Sequence, residues 1–151
     1  MAAASVHFAE LQMPDAIAMF NLGGMYYRGE GLTKDYVKAN ELLLRAGENG
    51  HATACTNLGN SYLSGRGVER DTNKAIYYYE LAATRGDAEA RYNLGAMEGN
   101  VGNMSRAVKH WMISAGAGCD KSLKQIREGF LYGHATKGDF EKALRPQRSC
   151  R

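Results

Sequence analysis

The chain has 151 residues, of which 44% are hydrophobic and 23% charged, so it is long enough to fold as one domain around a buried core. Its 18 glycines come with only 2 prolines and without a glycine at every third position, which excludes a collagen helix and a proline-rich linker. No run of about eighteen apolar residues could span a membrane, no secretory signal is recognisable, and the 3 cysteines form no C-x-x-C pair, so we expect an intracellular, cytoplasmic protein with reduced thiols.

The net charge of +3 is unevenly distributed along the chain. Residues 121–151 carry 8 basic and 3 acidic side chains, whereas residues 1–120 carry 11 basic and 13 acidic ones. Such an asymmetry is typical either of a solvated terminus or of a surface for an acidic partner.

A repeat of 36 residues organises the sequence. Its marker is an Asn-Leu-Gly triplet, found at Asn21-Leu22-Gly23, Asn57-Leu58-Gly59 and Asn93-Leu94-Gly95. The third copy is shorter in its middle, because Ala107 follows Ala75 by only 32 positions, and a weaker fourth copy has Ile126 in place of Leu94. These offsets divide the chain into an arm or degenerate half-repeat (1–13), four repeats (14–49, 50–85, 86–117 and 118–146) and a basic tail (147–151).

Each repeat is predicted to form two antiparallel helices, A and B. In the second repeat, apolar residues around Leu58 recur with the spacing of a helix. Gly65 and Gly67 break this helix A, and Asp71 is placed to cap helix B, which Ala75 continues. Since one such pair cannot bury its apolar face alone, we expect an all-α fold in which the repeats stack into a right-handed α-solenoid.

The Asn-Leu-Gly triplet places a glycine inside helix A, at Gly23, Gly59 and Gly95. Glycine costs about 1 kcal/mol relative to alanine in the interior of a helix. Its recurrence therefore predicts that the backbone of a neighbouring helix passes close to each of these positions.

The last helix B is predicted to be short. Pro146 falls inside it and would end the helix, so we expect it to run roughly from Phe140 to Arg145. Asp139 occupies the position of the capping residue Asp71. A solenoid that lacks a full terminal cap either offers its last apolar face to a partner or belongs to a longer chain.

This pattern resembles the Sel-one-like repeat, a relative of the tetratricopeptide repeat with a longer G-x-G turn between its helices. The resemblance is carried by A-x-x-N-L-G-x-x-Y-x-x-G-x-G-x-x-x-D-x-x-K-A, read from Ala54 to Ala75, and it covers about residues 14–145. It implies an all-helical, right-handed superhelix that serves as an adaptor or scaffold for protein complexes, without a catalytic activity of its own.

Candidate recognition residues lie on the A helices. The amides of Asn21, Asn57 and Asn93, with Gln125 in the fourth repeat, would form a row able to bind an extended peptide. Alternatively, each amide ties down a turn of the adjacent repeat, which would also give a fixed period.

Positions that differ between the repeats on the same helices are further candidates. Arg91 and Tyr92 are of residue types enriched in binding hot spots, and we expect their replacement to leave the fold unchanged. The other positions of this kind include Gly24, Asn60, Lys124 and Glu128.

The remaining candidates favour structural roles. His51 and Cys55 have the i, i+4 spacing of metal ligands, but no second pair accompanies them and His51 occupies a helix-cap position. Tyr79 and Trp111 are predicted to be core residues, with Tyr77 exposed. No G-x-S-x-G, H-E-x-x-H or Walker motif is present, so we expect no enzyme, metal, cofactor or small-molecule substrate.

The sequence therefore predicts a non-catalytic scaffold that binds a protein or peptide along the helix-A (concave) face. The alternative is a protein that binds an acidic surface or nucleic acid through the basic side chains near its C-terminus. These side chains are Lys121, Lys124, Arg127, Lys137, Lys142, Arg145, Arg148 and Arg151. Nucleic acid is the less favoured partner, because the first two repeats are not basic.

Overall fold

A computed structural model of the protein describes residues 15–145, and all the regular secondary structure in this range is helical. The arm at 1–13, Pro146 and the basic tail at 147–151 lie outside the described residues. The described helices are α1 (Ala16–Arg28), α2 (Tyr36–Glu48), α3 (Ala52–Ser64), α4 (Thr72–Thr84), α5 (Ala88–Asn100), α6 (Met104–Gly116), α7 (Asp120–Leu131) and α8 (Lys137–Ala143). None of them combines the length and the apolar character needed to cross a membrane.

The chain divides into two compact units, one formed by residues up to 82 and the other by residues from 83 onward. In the first unit, α1 packs against α2, and α2 packs against α3. In the second unit, α5 packs against α6, α6 against α7, and α8 against both α6 and α7. Packing between neighbours in the sequence is the arrangement expected of helical repeats.

Glycine and aspartate residues delimit the helices of the first two repeats. Gly29 and Gly65 follow α1 and α3 with φ angles of +71° and +73°, a left-handed conformation that glycine adopts without strain. Asp35 and Asp71 precede α2 and α4, and each carboxylate accepts the N–H of the residue three positions later at 3.1 Å. The path of the chain between helices A and B is thus set by a few local residues.

Apolar side chains from facing helices form a core within each unit. One cluster in the first unit comprises Met19, Leu43, Ala46 and Ala54, with Phe20 and Leu42 packed against it. A cluster in the second unit comprises Ala107, Val108, Trp111, Ala115, Ile126, Ala135 and Ala143. Burial of this apolar surface is the main stabilising contribution to each unit.

The leucine of the repeated triplet is not equally buried in its three copies. Leu58 and Leu94 are buried, as is Ala75 of α4, but Leu22 keeps 36% of its surface exposed. Leu22 instead lines a shallow groove with Tyr26 and other residues of α1 and α2. In α1, therefore, this position is not a core position.

The glycine of the triplet allows a close approach between helices A and B. A β-carbon added to Gly23 would lie 3.3 Å from a carbonyl oxygen of α2, so the backbone of the neighbouring helix is close there. At Gly59 the nearest atom would be Tyr79 Cε1 at 2.7 Å, and at Gly95 it would be Trp111 Nε1 at 2.5 Å. The expectation of a close backbone is therefore correct in the first repeat and wrong in the next two, where glycine makes room for an aromatic ring.

The last helix begins earlier than the sequence predicts. It spans Lys137–Ala143 rather than Phe140–Arg145, because Thr136 caps its N-terminus. The Thr136 hydroxyl accepts the N–H of Asp139 at 3.1 Å, and the Asp139 carboxylate accepts the N–H of Thr136 at 2.9 Å. Asp139 is thus the third residue of the helix, in a reciprocal capping box, and its assignment as the N-cap is wrong.

Candidate functional site

A cavity of about 280 Å³ opens on the first unit, beside the A helices of the first two repeats. Its lining consists of Gly23, Gly24, Tyr27 and Arg28 from α1, Leu43 from α2, and Asn57 and Asn60 from α3. The cavity therefore combines a small apolar floor with a hydroxyl, a guanidinium and two amides.

Hydrogen bonds hold several of these polar groups in place. Tyr79 donates its hydroxyl to Oδ1 of Asn60 at 2.6 Å, and this bond fixes the orientation of the Asn60 amide. Arg66 donates Nη1 to the hydroxyl of Tyr27 at 2.5 Å, and this bond raises the pKa of the Arg66 guanidinium above its ordinary value. Because these groups are held before any ligand arrives, less ordering is needed on binding.

Glycine residues create the space on the α1 side of the cavity. The side chain of Arg28 turns back over its own helix, and a β-carbon on Gly24 would lie 3.0 Å from its Nη1. The same guanidinium donates Nε to the carboxylate of Glu30 at 2.9 Å, in an ion pair whose partners are both well exposed. The positive charge at the cavity edge is thus held near Gly24 and remains in contact with solvent.

In the first unit, Asn57 is the predicted amide that lines the cavity. Asn57 lines the cavity, together with Asn60, whereas Asn21 is exposed and is not part of the lining. Asn93 and Gln125 are half-buried in the second unit. The other candidates of the fourth repeat lie on α7, where Lys124 is exposed and Glu128 is half-buried.

Arg91 and Tyr92 are integrated into the second unit. Both are half-buried, and Tyr92 packs against the core cluster of that unit. The Trp111 indole donates to the carbonyl oxygen of Tyr92 at 3.3 Å, and Lys121 Nζ lies 5.6 Å from the centroid of the Tyr92 ring and 3.2 Å from a carboxylate oxygen of Glu89. Because Tyr92 packs against this cluster, we expect its replacement to destabilise the unit, in contrast to the expectation from the sequence.

Asn40 on α2 is an amide that ties down a turn of the adjacent repeat. Its Nδ2 donates to the carbonyl oxygen of Arg66 at 2.7 Å and so ties down the G-x-G turn of the second repeat. A β-carbon on Gly67 would lie 2.6 Å from the backbone of Tyr36, so the turn also packs tightly on α2. The sequence contains a signal for this contact. Asn40 precedes a repeat that has the G-x-G turn, whereas Ile76, at the same position in the second repeat, precedes the third repeat, which lacks the G-x-G.

His51 and Cys55 have structural roles. Nδ1 of His51 accepts the N–H of Ala54 at 3.1 Å, which caps α3, and its ring stacks on Phe20 with centroids 4.3 Å apart. Cys55 is buried, and a β-carbon on Gly47 would lie 2.7 Å from its sulfur. Within residues 15–145, no three His, Cys, Asp or Glu side chains cluster as a metal site would require.

The basic side chains near the C-terminus are partly neutralised by carboxylates. Lys121 pairs with Glu89 at 3.2 Å, and Lys137 pairs with Glu141 at 3.7 Å. Other basic side chains of this region are exposed on α7, on α8 or just after α8, namely Lys124, Arg127, Lys142 and Arg145. Arg148 and Arg151 lie outside the described residues.

Comparison with known proteins places these features in a family. A family model described as the Sel1 repeat, the usual spelling of the Sel-one-like repeat, matches residues 16–51, 52–87 and 88–119. The chain is similar to a Sel1 repeat protein from Oxalobacter formigenes, with a TM-score of 0.79 and 30% identity over 91% of this chain and 57% of that one. No curated protein matches the sequence.

A second solved structure gives the same result. It is c5321, a protective antigen present in uropathogenic Escherichia coli strains and displaying an SLR fold, with a TM-score of 0.79 and 29% identity over 91% of this chain and 31% of that one. The chain thus spans less than two thirds of the length of either protein. These likenesses confirm the predicted fold class, an all-α solenoid of repeated helix pairs.

Proposed function

Because the chain belongs to the Sel1 repeat family, as its sequence pattern predicted, we propose that it binds a partner protein through the helix-A side of its first unit. Sel1 repeat proteins are generally non-catalytic scaffolds for protein–protein interaction. We propose the same class of role for this chain, with no catalysis and with an extended peptide segment of the partner as the ligand.

The cavity between α1, α2 and α3 is the observation that carries this proposal. An extended peptide presents backbone N–H and C=O groups in alternation, and a carboxamide such as that of Asn57 can donate to one and accept from the other. Arg28 adds a cation able to bind a backbone carbonyl or an acidic side chain. Leu43 offers an apolar contact at the floor of the cavity.

The size of the cavity fits this class of ligand. Its volume of about 280 Å³ is just below the range of about 300 to 1,000 Å³ that is typical of small-molecule pockets. It can hold one or two side chains of a segment that continues along the surface. Binding of a segment rather than of a compact molecule is also the usual way in which helical repeats use their surface.

A displayed library of random linear peptides tests the proposal directly. Peptides selected on the wild-type protein are labelled and titrated by fluorescence anisotropy against Asn57→Ala and Arg28→Ala. We expect each substitution to lower the affinity about tenfold, since each removes a polar group that a bound segment would contact. Thermal melts should stay unchanged for Arg28→Ala, because its ion pair is exposed.

Asn21→Ala is the matched control, since Asn21 has the same repeat position as Asn57 but lies outside the cavity lining. Its affinity for the selected peptides should equal that of the wild type. If Asn21→Ala weakens binding as much as Asn57→Ala, or if neither Asn57→Ala nor Arg28→Ala has an effect, the cavity is not the binding site.

A further inference from the structure

The second unit carries a groove of about 380 Å³ between α6 and α8, separate from the cavity of the first unit. Met112 and Ile113 of α6 and Ala143 of α8 form its apolar part. Ala143 belongs to the core cluster and Met112 packs against it, whereas Ile113 keeps 54% of its surface exposed. The groove is therefore a partly exposed apolar surface that is continuous with the core of the unit.

The groove borders α8, which is shorter than the other described B helices. The B helices α2, α4 and α6 each have 13 residues, but α8 has only 7. With a rise of about 1.5 Å per residue, α8 is about 9 Å shorter than the other described B helices. A segment of roughly two helical turns would fit where a full-length helix would lie.

Positive charge borders the groove on both sides. Lys109 of α6 and Lys142 of α8 both line it and are exposed. Helix α6 contains no acidic residue, and the two carboxylates of α8 are engaged elsewhere, Asp139 in the capping box and Glu141 with Lys137. An apolar ligand with carboxylates on both flanks would complement this surface.

We propose that this groove binds a short acidic amphipathic helix of a partner protein, with its apolar side chains on Met112 and Ile113 and its carboxylates against Lys109 and Lys142. The binding mode is that of a helix in a groove, in which residues at i, i+3 and i+4 are the anchors. The surface is independent of the peptide cavity proposed above, and either can fail without the other.

The charge of the groove argues against residues 146–151 as its occupant. Residues 146–151 contain two arginines and no acidic side chain. They would therefore place positive charge beside Lys109 and Lys142, which is unfavourable. A negatively charged segment from another protein is the occupant that the groove fits.

The probe is a synthetic, fluorescently labelled helical peptide with leucines at i, i+3 and i+4 spacing, flanked by glutamates. We expect it to bind the full chain and to slow hydrogen exchange in α6 and α8. The double variant Lys109→Gln and Lys142→Gln should lower the affinity about tenfold, and so should Ile113→Ser. All three side chains are exposed, so circular dichroism melts should remain close to those of the wild type.

Matched controls separate the groove from general attraction of charge. Lys124→Gln removes an exposed lysine of α7 outside the groove, and Val101→Ser removes an exposed apolar side chain of the same unit, so both should bind like the wild type. A peptide with lysines in place of the glutamates, or serines in place of the leucines, should not bind. If Lys124→Gln lowers the affinity for the acidic peptide as much as the double variant does, the proposal is overturned.

Two further outcomes would also overturn it. If a labelled single-stranded oligonucleotide binds the wild-type protein but not the Lys109→Gln and Lys142→Gln double variant, the groove is a nucleic-acid binding site. If sedimentation equilibrium shows a wild-type dimer that Ile113→Ser dissociates, the occupant is a second copy of the chain. A wild-type protein that does not bind the acidic peptide contradicts the proposal outright.

Discussion

At the scale of single residues, the contact between Gly59 and Tyr79 determines how closely two helices approach. The ring of Tyr79 is buried and its hydroxyl is hydrogen-bonded to Asn60, so the ring is held in place. In the first repeat, the corresponding positions hold Gly23 and the smaller Leu43, and the space above the glycine is larger. The residue opposite the glycine thus determines how much space remains for a β-carbon there.

Gly59→Ala is expected to lower the free energy of unfolding by up to about 2 kcal/mol net, because overpacking a filled core costs about 1–3 kcal/mol. The added methyl group would lie 2.7 Å from Tyr79 Cε1, and a buried, hydrogen-bonded ring cannot move aside. This cost outweighs the gain of about 1 kcal/mol that alanine brings to a helix. Urea unfolding followed by far-ultraviolet circular dichroism measures the difference.

Gly99→Ala is the control for this substitution, because the neighbours of its added methyl group lie no closer than 3.6 Å. It should leave the free energy of unfolding unchanged or raise it by up to about 1 kcal/mol. In a Tyr79→Leu background, Gly59→Ala should cost less than in the wild type. A Gly59→Ala protein as stable as the wild type would show that the ring does not limit the approach of the helices.

At the scale of the helices, local signals were readable from the sequence and contacts between helices were not. The glycine that ends α3 and the aspartate that begins α4 act within a few residues of chain, so Gly65 and Asp71 could be identified by pattern alone. The start of α8 was missed because threonine and aspartate can both cap a helix, and only the geometry shows that Thr136 does so.

The candidate site was predictable only in part, for the same physical reason. The sequence placed Asn57 on a recognition surface, but it gave no reason to separate Asn57 from Asn21, which has the same repeat position. The two differ because the cavity depends on Gly24 and on the course of Arg28 over α1, contacts that no periodicity encodes. Likewise, only packing reveals that Tyr92 supports the core of its unit.

The capping box of α8 makes a prediction about acid stability. Hydrogen bonds from the Thr136 backbone N–H and hydroxyl lower the pKa of Asp139 below its ordinary value of 3.8. A carboxyl group whose pKa is lower in the folded than in the unfolded state stabilises the fold at neutral pH, and this contribution is lost as the pH falls through the folded-state pKa. Asp139→Ala should therefore be less stable than the wild type at pH 7, with a difference that narrows below about pH 4.

Fluorescence of Trp111, the single tryptophan of the chain, provides the measurement. Trp111 is buried in the core cluster of the unit that contains α8, so its urea transition reports on that unit. As a control, Lys124→Gln alters an exposed residue of α7, and its difference from the wild type should not change with pH. If the Asp139→Ala difference grows as the pH falls, the capping box does not contribute in its ionised form.

At the scale of the whole molecule, stability should be distributed over the repeats rather than shared by the entire chain. The core cluster of the first unit and that of the second have no residue in common, and each is built from helices adjacent in the sequence. In repeat proteins, stability is approximately a sum of contributions from repeats and from the interfaces between neighbours. A core substitution should therefore act mainly on its own unit.

Ile126→Ala tests this expectation, because Ile126 is fully buried in the cluster of the second unit. Truncation of a buried isoleucine costs about 2–5 kcal/mol, so the Trp111 transition should move to a lower urea concentration and amides of α6 and α7 should exchange faster. Amides of α1 and α2 should keep their wild-type protection. Leu43→Ala is the reciprocal control, and it should speed exchange in α1 and α2 while the Trp111 transition stays in place. If either substitution accelerates exchange equally in both units, the chain unfolds as one cooperative structure, and its repeats do not contribute separately to stability.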